Sequence, residues 1–259
     1  MKTLIFGSDS LEFGWTVATF IPAMRKAAEG YDRVVAVCKE QNRYLYEDFA
    51  TDFETYEQKG KHDMWYVSRK PDILCKVPKN MRRKYPGATY YIPSRSKCID
   101  WPRKYFMYGD IQMGAGYDLV IHARAESKYG QQGRNWPKDN YEMLLSQLKN
   151  PRACSIGTKA YHIPGTDDLR NIPLEDLCQV IASSRVMVGP SSGPCHLSHL
   201  CGTPVVVWTH AKKEKAINAT NRQRYTKLWR AFDTEVVVVD ESDWNPTIGE
   251  IAIQARRFL

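Results

Sequence analysis

Residues 183–208 read SSRVMVGPSSGPCHLSHLCGTPVVVW, and their pattern decides the fold. Residues 185–188 are a short, mostly apolar run with two valines that ends at Gly189-Pro190, as expected of a buried strand that stops abruptly. Ser191-Ser192-Gly193-Pro194 supplies a hydroxyl-bearing turn. Residues 195–201 (CHLSHLC) then read as a short helix closed by Gly202, and residues 203–208 as a second buried strand. This strand, turn, helix, strand unit sets a helix N-terminus just past the carboxyl end of a strand. Unpaired backbone N–H groups and the positive end of the helix dipole there suit a phosphate or pyrophosphate. Plain capping of the helix by serine explains the same residues without a ligand.

At these residues the chain resembles a family. Val188-Gly189 through Trp208 is similar to the carboxyl-terminal nucleotide-sugar site of GT-B glycosyltransferases of the ADP-heptose heptosyltransferase type (glycosyltransferase family 9), whose motif is an acidic residue followed by Ser-Gly-Pro-x-His. Ser192-Gly193-Pro194-Cys195-His196 matches that motif, and Ser191 stands where the family usually has aspartate. The resemblance implies an α/β GT-B fold, with two Rossmann-like doubly wound parallel-sheet domains facing a cleft. It gives the amino-terminal half to the acceptor and the carboxyl-terminal half to the nucleotide sugar, with Ser191, Ser192, Gly193 and His196 as donor-binding candidates. For His196, packing on a short helix is the competing reading.

Size and composition agree with two such halves. The chain has 259 residues, 43% of them hydrophobic, enough for one large or two small cores. No apolar run reaches membrane-spanning length, and the opening MKTLIFGSDS reads as a strand and loop rather than a signal peptide. Seven dispersed cysteines without a Cys-x-x-Cys pair point to reduced thiols in a cytoplasmic protein and away from a zinc site. The net charge of +8 is concentrated between Arg69 and Lys104, where eleven Lys and Arg face only Asp72 and Asp100.

The chain opens with a βαβ pattern: a strand over residues 2–6, a helix over 15–28 ended by Gly30, and a strand over 34–37. In the resembled family the loop after the first strand carries the acidic residue that takes the acceptor's proton. Asp9 and Glu12 are the candidates, Asp9 first because it sits nearer the strand end. A carboxylate suits that work because cleft burial raises its pKa toward neutrality; turn capping is the alternative for Asp9. Residues 40–68 read as one or two helices followed by a strand near 64–67. The basic segment after them is interleaved with tyrosines and tryptophan, a pattern that fits either a solvated face or a nucleic-acid groove. Arg82, Arg83, Lys84, Arg95 and Lys97 are the acceptor-binding candidates. A basic acceptor half predicts an anionic acceptor, DNA or a phosphorylated glycan.

Gly114-Ala115-Gly116 reads as the joint between a domain of residues 1–114 and one of residues 115–259. Residues 117–123 are the next strand and 138–148 a helix. By resemblance, the basic residue before Trp136-Pro137 reaches the donor diphosphate, which makes Arg134 the leading ligand and Arg124 and Lys128 its neighbours. Arginine suits the role through its bidentate fork. A strand at 153–157, a polar loop at 165–171 and a helix at 173–183 follow, and the resemblance gives the ribose hydroxyls to Asp167 or Asp168 in that loop. A strand at 235–240 and a terminal helix at 248–259 end the chain, the helix expected to cross back onto the first half.

These readings converge on sugar transfer from a nucleotide-diphosphate donor to an acceptor hydroxyl. The donor is a co-substrate, no further cofactor is implied, and the absence of an Asp-x-Asp motif fits a metal-independent enzyme. Two other classes compete: a nucleotide-sugar epimerase of the same fold, which leaves the basic segment without a task, and a non-catalytic nucleic-acid-binding protein, which leaves the Ser-Gly-Pro-x-His turn unexplained.

Overall fold

Four of the described strands form at short valine-rich runs, RVVAVCK, VMVGP, VVVW and VVVV. A computed structural model describes residues 1–6, 13–56, 79–91, 102–110, 112, 114–125, 134–213 and 218–259. The chain divides into two compact units, Met1–Phe106 and Met107–Leu259.

In the first unit β1 (Thr3–Phe6) precedes a helical run made of α1 (Phe13–Trp15), a π-helical stretch (Thr16–Phe20) and α2 (Ile21–Ala28). Then come β2 (Arg33–Lys39), a 3-10 segment (Glu40–Tyr46), β3 (Asp52–Tyr56), α3 (Lys79–Lys84) and β4 (Thr89–Tyr91). The sheet is parallel, in the order β3-β2-β1-β4. The segment read as helical from 40 onward contains β3, which pairs with β2 in the register Val35↔Asp52. Its sequence, DFETY, alternates polar and β-compatible residues, and the Arg33–Asp52 ion pair at 2.8 Å ties its start to β2. The strand expected at 64–67 lies outside the described residues. Arg25 is buried, bonded to Asp48 at 2.6 Å and set over the rings of Phe49 and Phe106, so this cation is structural.

The second unit holds β5 (Leu119–Ile121), α4 (Lys138–Gln147), β6 (Ala153–Ile156), β7 (Asp167–Leu169), α5 (Leu174–Ala182), β8 (Val186–Pro190), α6 (Gly193–Leu200), β9 (Val205–Trp208), α7 (Asn221–Gln223), β10 (Val236–Val239) and α8 (Ile248–Ala255). All six strands are parallel, in the order β10-β9-β8-β5-β6-β7. Counted from the unit's own first strand this is 3-2-1-4-5-6, the doubly wound dinucleotide-fold order. β5, β8 and β9 are buried throughout, as strands covered by helices on both faces must be. The loop at 165–171 contains β7, a three-residue edge strand paired with β6.

On one face Trp136, Tyr141 and Trp208 meet with ring centroids 4.9 to 6.0 Å apart, and Trp136 Nε1 donates to Pro246 O at 3.1 Å. The terminal helix α8, expected to cross back onto the first half, packs in this unit. Its Ile251, Ala252 and Ala255 join Leu144 and Trp208 in one core. The site follows from the topology: connections leave β5 toward β6 on one side and β8 toward β9 on the other, which opens a crevice at the carboxyl ends of β5 and β8.

Candidate functional site

His122 and the Ser191–Gly193 turn follow the carboxyl ends of β5 and β8. The His122 N–H donates to Val188 O at 3.0 Å and carries the pairing one residue past β5. Two glycines make room for the residue, Gly189 at its backbone and Gly157 at its ring. A Cβ on Gly189 would lie 3.1 Å from His122 O. A Cβ on Gly157, at φ +109° just beyond β6, would lie 2.8 Å and 2.9 Å from the ring atoms Cδ2 and Nε2. His122 is only 6% exposed. Burial first, and nearby Arg124 second, push its pKa down to about 4, so the ring is neutral at pH 7.

Ser192 is the N-cap residue of α6, yet its hydroxyl makes no capping bond. Its Oγ lies 3.0 Å from His122 Nδ1 instead. Pro194 has no N–H, so Gly193 and Cys195 present the first backbone donors of the helix, with no cap side chain answering them. The residues from Ser191 to Pro194 are partly exposed, whereas Cys195 and His196 are buried. The His196 ring lies flat against Tyr225, 4.3 Å between centroids at 11°, with Trp229 edge-on at 4.8 Å. Burial pushes its pKa down to about 3. The ring is therefore packed as a neutral core group, and Tyr225 OH reaches Ser191 Oγ at 3.3 Å.

Positive charge gathers at the same edge of the sheet. Arg134 stacks over Trp244 at 4.7 Å, and Trp244 lies 5.2 Å from the ring of His210, two residues past β9. His210 Nδ1 accepts the Lys212 N–H at 3.0 Å. Burial first, then Arg134, Lys212 and Arg224 lower the His210 pKa, against the opposing pull of Asp243. Arg134 and Arg224 thus act on one point. Arg224 is nearly buried and lies over Trp229 at 5.2 Å.

Of the sequence candidates, Ser191, Ser192, Gly193 and Arg134 come to this edge. Arg124 is placed beside His122 and bridges to Ala160. Asp167 accepts a hydrogen bond from Tyr117 OH at 2.7 Å, and Tyr117 lies before β5, at the amino-terminal edge of the sheet. Asp168 is held by both arms of the Arg170 guanidinium at 2.7 Å, which keeps its carboxyl well below the usual range. The structure does not bring these two carboxylates to the Ser191–Gly193 turn. In the first unit, Met81 and Tyr85 anchor α3 on β1 and β2, which leaves Arg82, Arg83 and Lys84 exposed. Lys84 pairs with Glu54. Asp9, Glu12, Arg95, Lys97 and Lys128 lie outside the described residues. His122 and His210 carried no sequence signal, since each is a single residue whose neighbours come from distant segments, and Arg224 shows in the sequence only as one member of a basic run over residues 212–230. Among the described residues no three His, Cys, Asp or Glu side chains are grouped to hold a metal ion, and no helix is long and apolar enough to cross a membrane.

The chain has the GT-B-like fold of the heptosyltransferase-type glycosyltransferases, two parallel-sheet α/β units. Three solved structures carry the likeness. The E. coli heptosyltransferase WaaC with ADP has a TM-score of 0.60 at 12% identity and is matched over 100% of both chains. E. coli ADP-heptose LPS heptosyltransferase II has a TM-score of 0.59 at 11% identity, over 100% of this chain and 98% of that one. The glycosyl transferase of family 9 from Veillonella parvula has a TM-score of 0.56 at 12% identity, over 100% and 92%. No family model and no curated protein matches the sequence.

Proposed function

We propose that the protein is a glycosyltransferase that takes a sugar from a nucleotide-diphosphate donor bound at the carboxyl edge of the second sheet. The observation that carries this is the open α6 N-terminus at the switch point, facing the same edge as Arg134 and Arg224. One neighbour of this fold, the E. coli heptosyltransferase WaaC, is solved with ADP and with ADP-2-deoxy-2-fluoro heptose, which supports the same use here. The acceptor oxygen attacks the anomeric carbon as the bond to the diphosphate breaks. The nucleoside diphosphate leaves with that electron pair, and Asp9, or Glu12 in its place, takes the acceptor's proton. The Gly193 and Cys195 N–H groups, Ser192 and Arg134 stabilise the charge on the departing diphosphate, work that needs no metal ion; Arg124 and Lys128 add to the field.

The acceptor is anionic, drawn by the basic stretch that includes Arg82 and Arg83. DNA carrying a hydroxymethylated base suits that charge density, because an extruded base needs a grip on its flanking phosphates. A phosphorylated glycan is the second acceptor. The test is a transfer assay with labelled UDP-, GDP- and ADP-sugars, offered hydroxymethylcytosine DNA and a phosphorylated glycan core at several salt concentrations. Label in DNA that falls steeply with salt supports the DNA acceptor. Label in the glycan moves the acceptor to that class, and donor epimerised or hydrolysed with neither acceptor labelled overturns the transferase.

A further inference from the structure

We propose that His122 is a positioning residue for the donor diphosphate: its Nδ1–H holds the Ser192 oxygen and turns the Ser192 hydroxyl proton toward the anion. This rests on the nucleotide-diphosphate reading of the α6 terminus and gives that site a component outside its motif.

The direction of the bond follows from counting donors. A neutral imidazole carries one N–H. Placed on Nδ1, that N–H meets the Ser192 oxygen at 3.0 Å. The Cys195 thiol gives its proton to Pro190 O, so its sulfur is left to accept the Ser192 proton, and the Ser192 oxygen in turn accepts from Nδ1–H. The Ser192 proton must then find its own acceptor. That acceptor is Cys195 Sγ at 3.6 Å, and the Cys195 thiol, kept protonated by burial, donates in turn to Pro190 O at 3.3 Å. All donors therefore run one way: imidazole to hydroxyl, hydroxyl to thiol, thiol to carbonyl. Sulfur is a weak acceptor, so a phosphate oxygen replaces it readily. The same arrangement keeps the Ser192 hydroxyl off the backbone N–H groups it would otherwise cap.

Two readings on one set of proteins decide the matter. Long-range ¹H–¹⁵N correlation on the wild type should show His122 protonated at Nδ1 and bare at Nε2. Calorimetric titration with UDP, GDP and ADP, and with the matching nucleosides, should show Ser192→Ala and His122→Phe each weakening the preferred diphosphate about tenfold. The double variant should lose no more than either single one, and nucleoside binding should stay unchanged. His122→Asn, whose amide nitrogen takes the place of Nδ1, should restore affinity, and His122→Gln should not. An Nε2–H tautomer, additive losses, or equal losses for nucleoside and diphosphate overturns the role of His122 while leaving the donor site standing. A folded wild type that binds no nucleoside diphosphate overturns the donor reading and this inference with it.

Discussion

Replacing Gly157 by alanine tests whether His122 sits in a slot built for it. The residue has φ +109°, a conformation that costs an L side chain about 1–2 kcal/mol. Its new Cβ would also stand 2.8 Å from His122 Cδ2 and 2.9 Å from Nε2, on a ring already held by Ser192. Overpacking of this kind costs about 1–3 kcal/mol more, for a total of about 2–5 kcal/mol. Gly165 supplies the control, since its φ is +81° with nothing within 4 Å of an added Cβ. Gly165→Ala should therefore lose the backbone part alone, about 1–2 kcal/mol. Urea denaturation followed by tryptophan fluorescence measures both, and diphosphate affinity should fall for Gly157→Ala and hold for Gly165→Ala. Equal stability losses in the two variants would refute the packing argument.

Arg134→Ala should weaken nucleoside diphosphate binding about tenfold or more, as loss of a charge-assisted contact does, whereas Arg82→Ala with Arg83→Ala should leave it unchanged and reduce acceptor use; titration and transfer rates separate the two. Stability should fall on acidification, because His122 stays neutral in the folded chain down to about pH 4 while an unfolded histidine protonates near 6.5. Only the unfolded state gains a proton in that window, so this group's contribution is complete above pH 6.5 and about 3 kcal/mol is lost by pH 4. His196, with its pKa near 3, acts in the same direction, and His196→Phe should flatten the slope seen in urea midpoints at pH 7, 5.5 and 4.5. Thr247 and Glu250 form a reciprocal capping box on α8, and Thr247→Ala should cost about 1 kcal/mol in the same denaturation experiment.

The centre of the second unit was legible because its strands are buried on both sides and must be apolar along their length. VMV and VVVW announce β8 and β9, and Gly189-Pro190 and Gly202 mark where strand and helix stop; the edge strand β10 shows through its run of four valines alone. Two other edge strands, β7 and β3, were not legible. DDL and DFETY are covered by a neighbour on one side only, so charge is tolerated and periodicity is lost. The π-helical stretch at Thr16–Phe20 likewise leaves no mark in a pattern of period near four. At the site, the Ser-Gly-Pro-x-His turn and Arg134 could be read from local spacing. His122 could not, since a single histidine at the end of an apolar run is ordinary until Ser192, 70 residues away, is placed beside it. Asp167 and Asp168 show the converse: two adjacent carboxylates looked available, and Tyr117 and Arg170 occupy them. His196 reads as a motif histidine and is packed between Tyr225 and Trp229.

A crystal structure of the protein with its preferred nucleoside diphosphate tests the donor site most directly. The diphosphate should lie at the N-terminus of α6, within hydrogen-bond distance of the Gly193 and Cys195 N–H groups and the Ser192 hydroxyl, with the Arg134 guanidinium against it. A diphosphate bound away from the β5 and β8 carboxyl ends, with Ser192 still turned to Cys195, would contradict it.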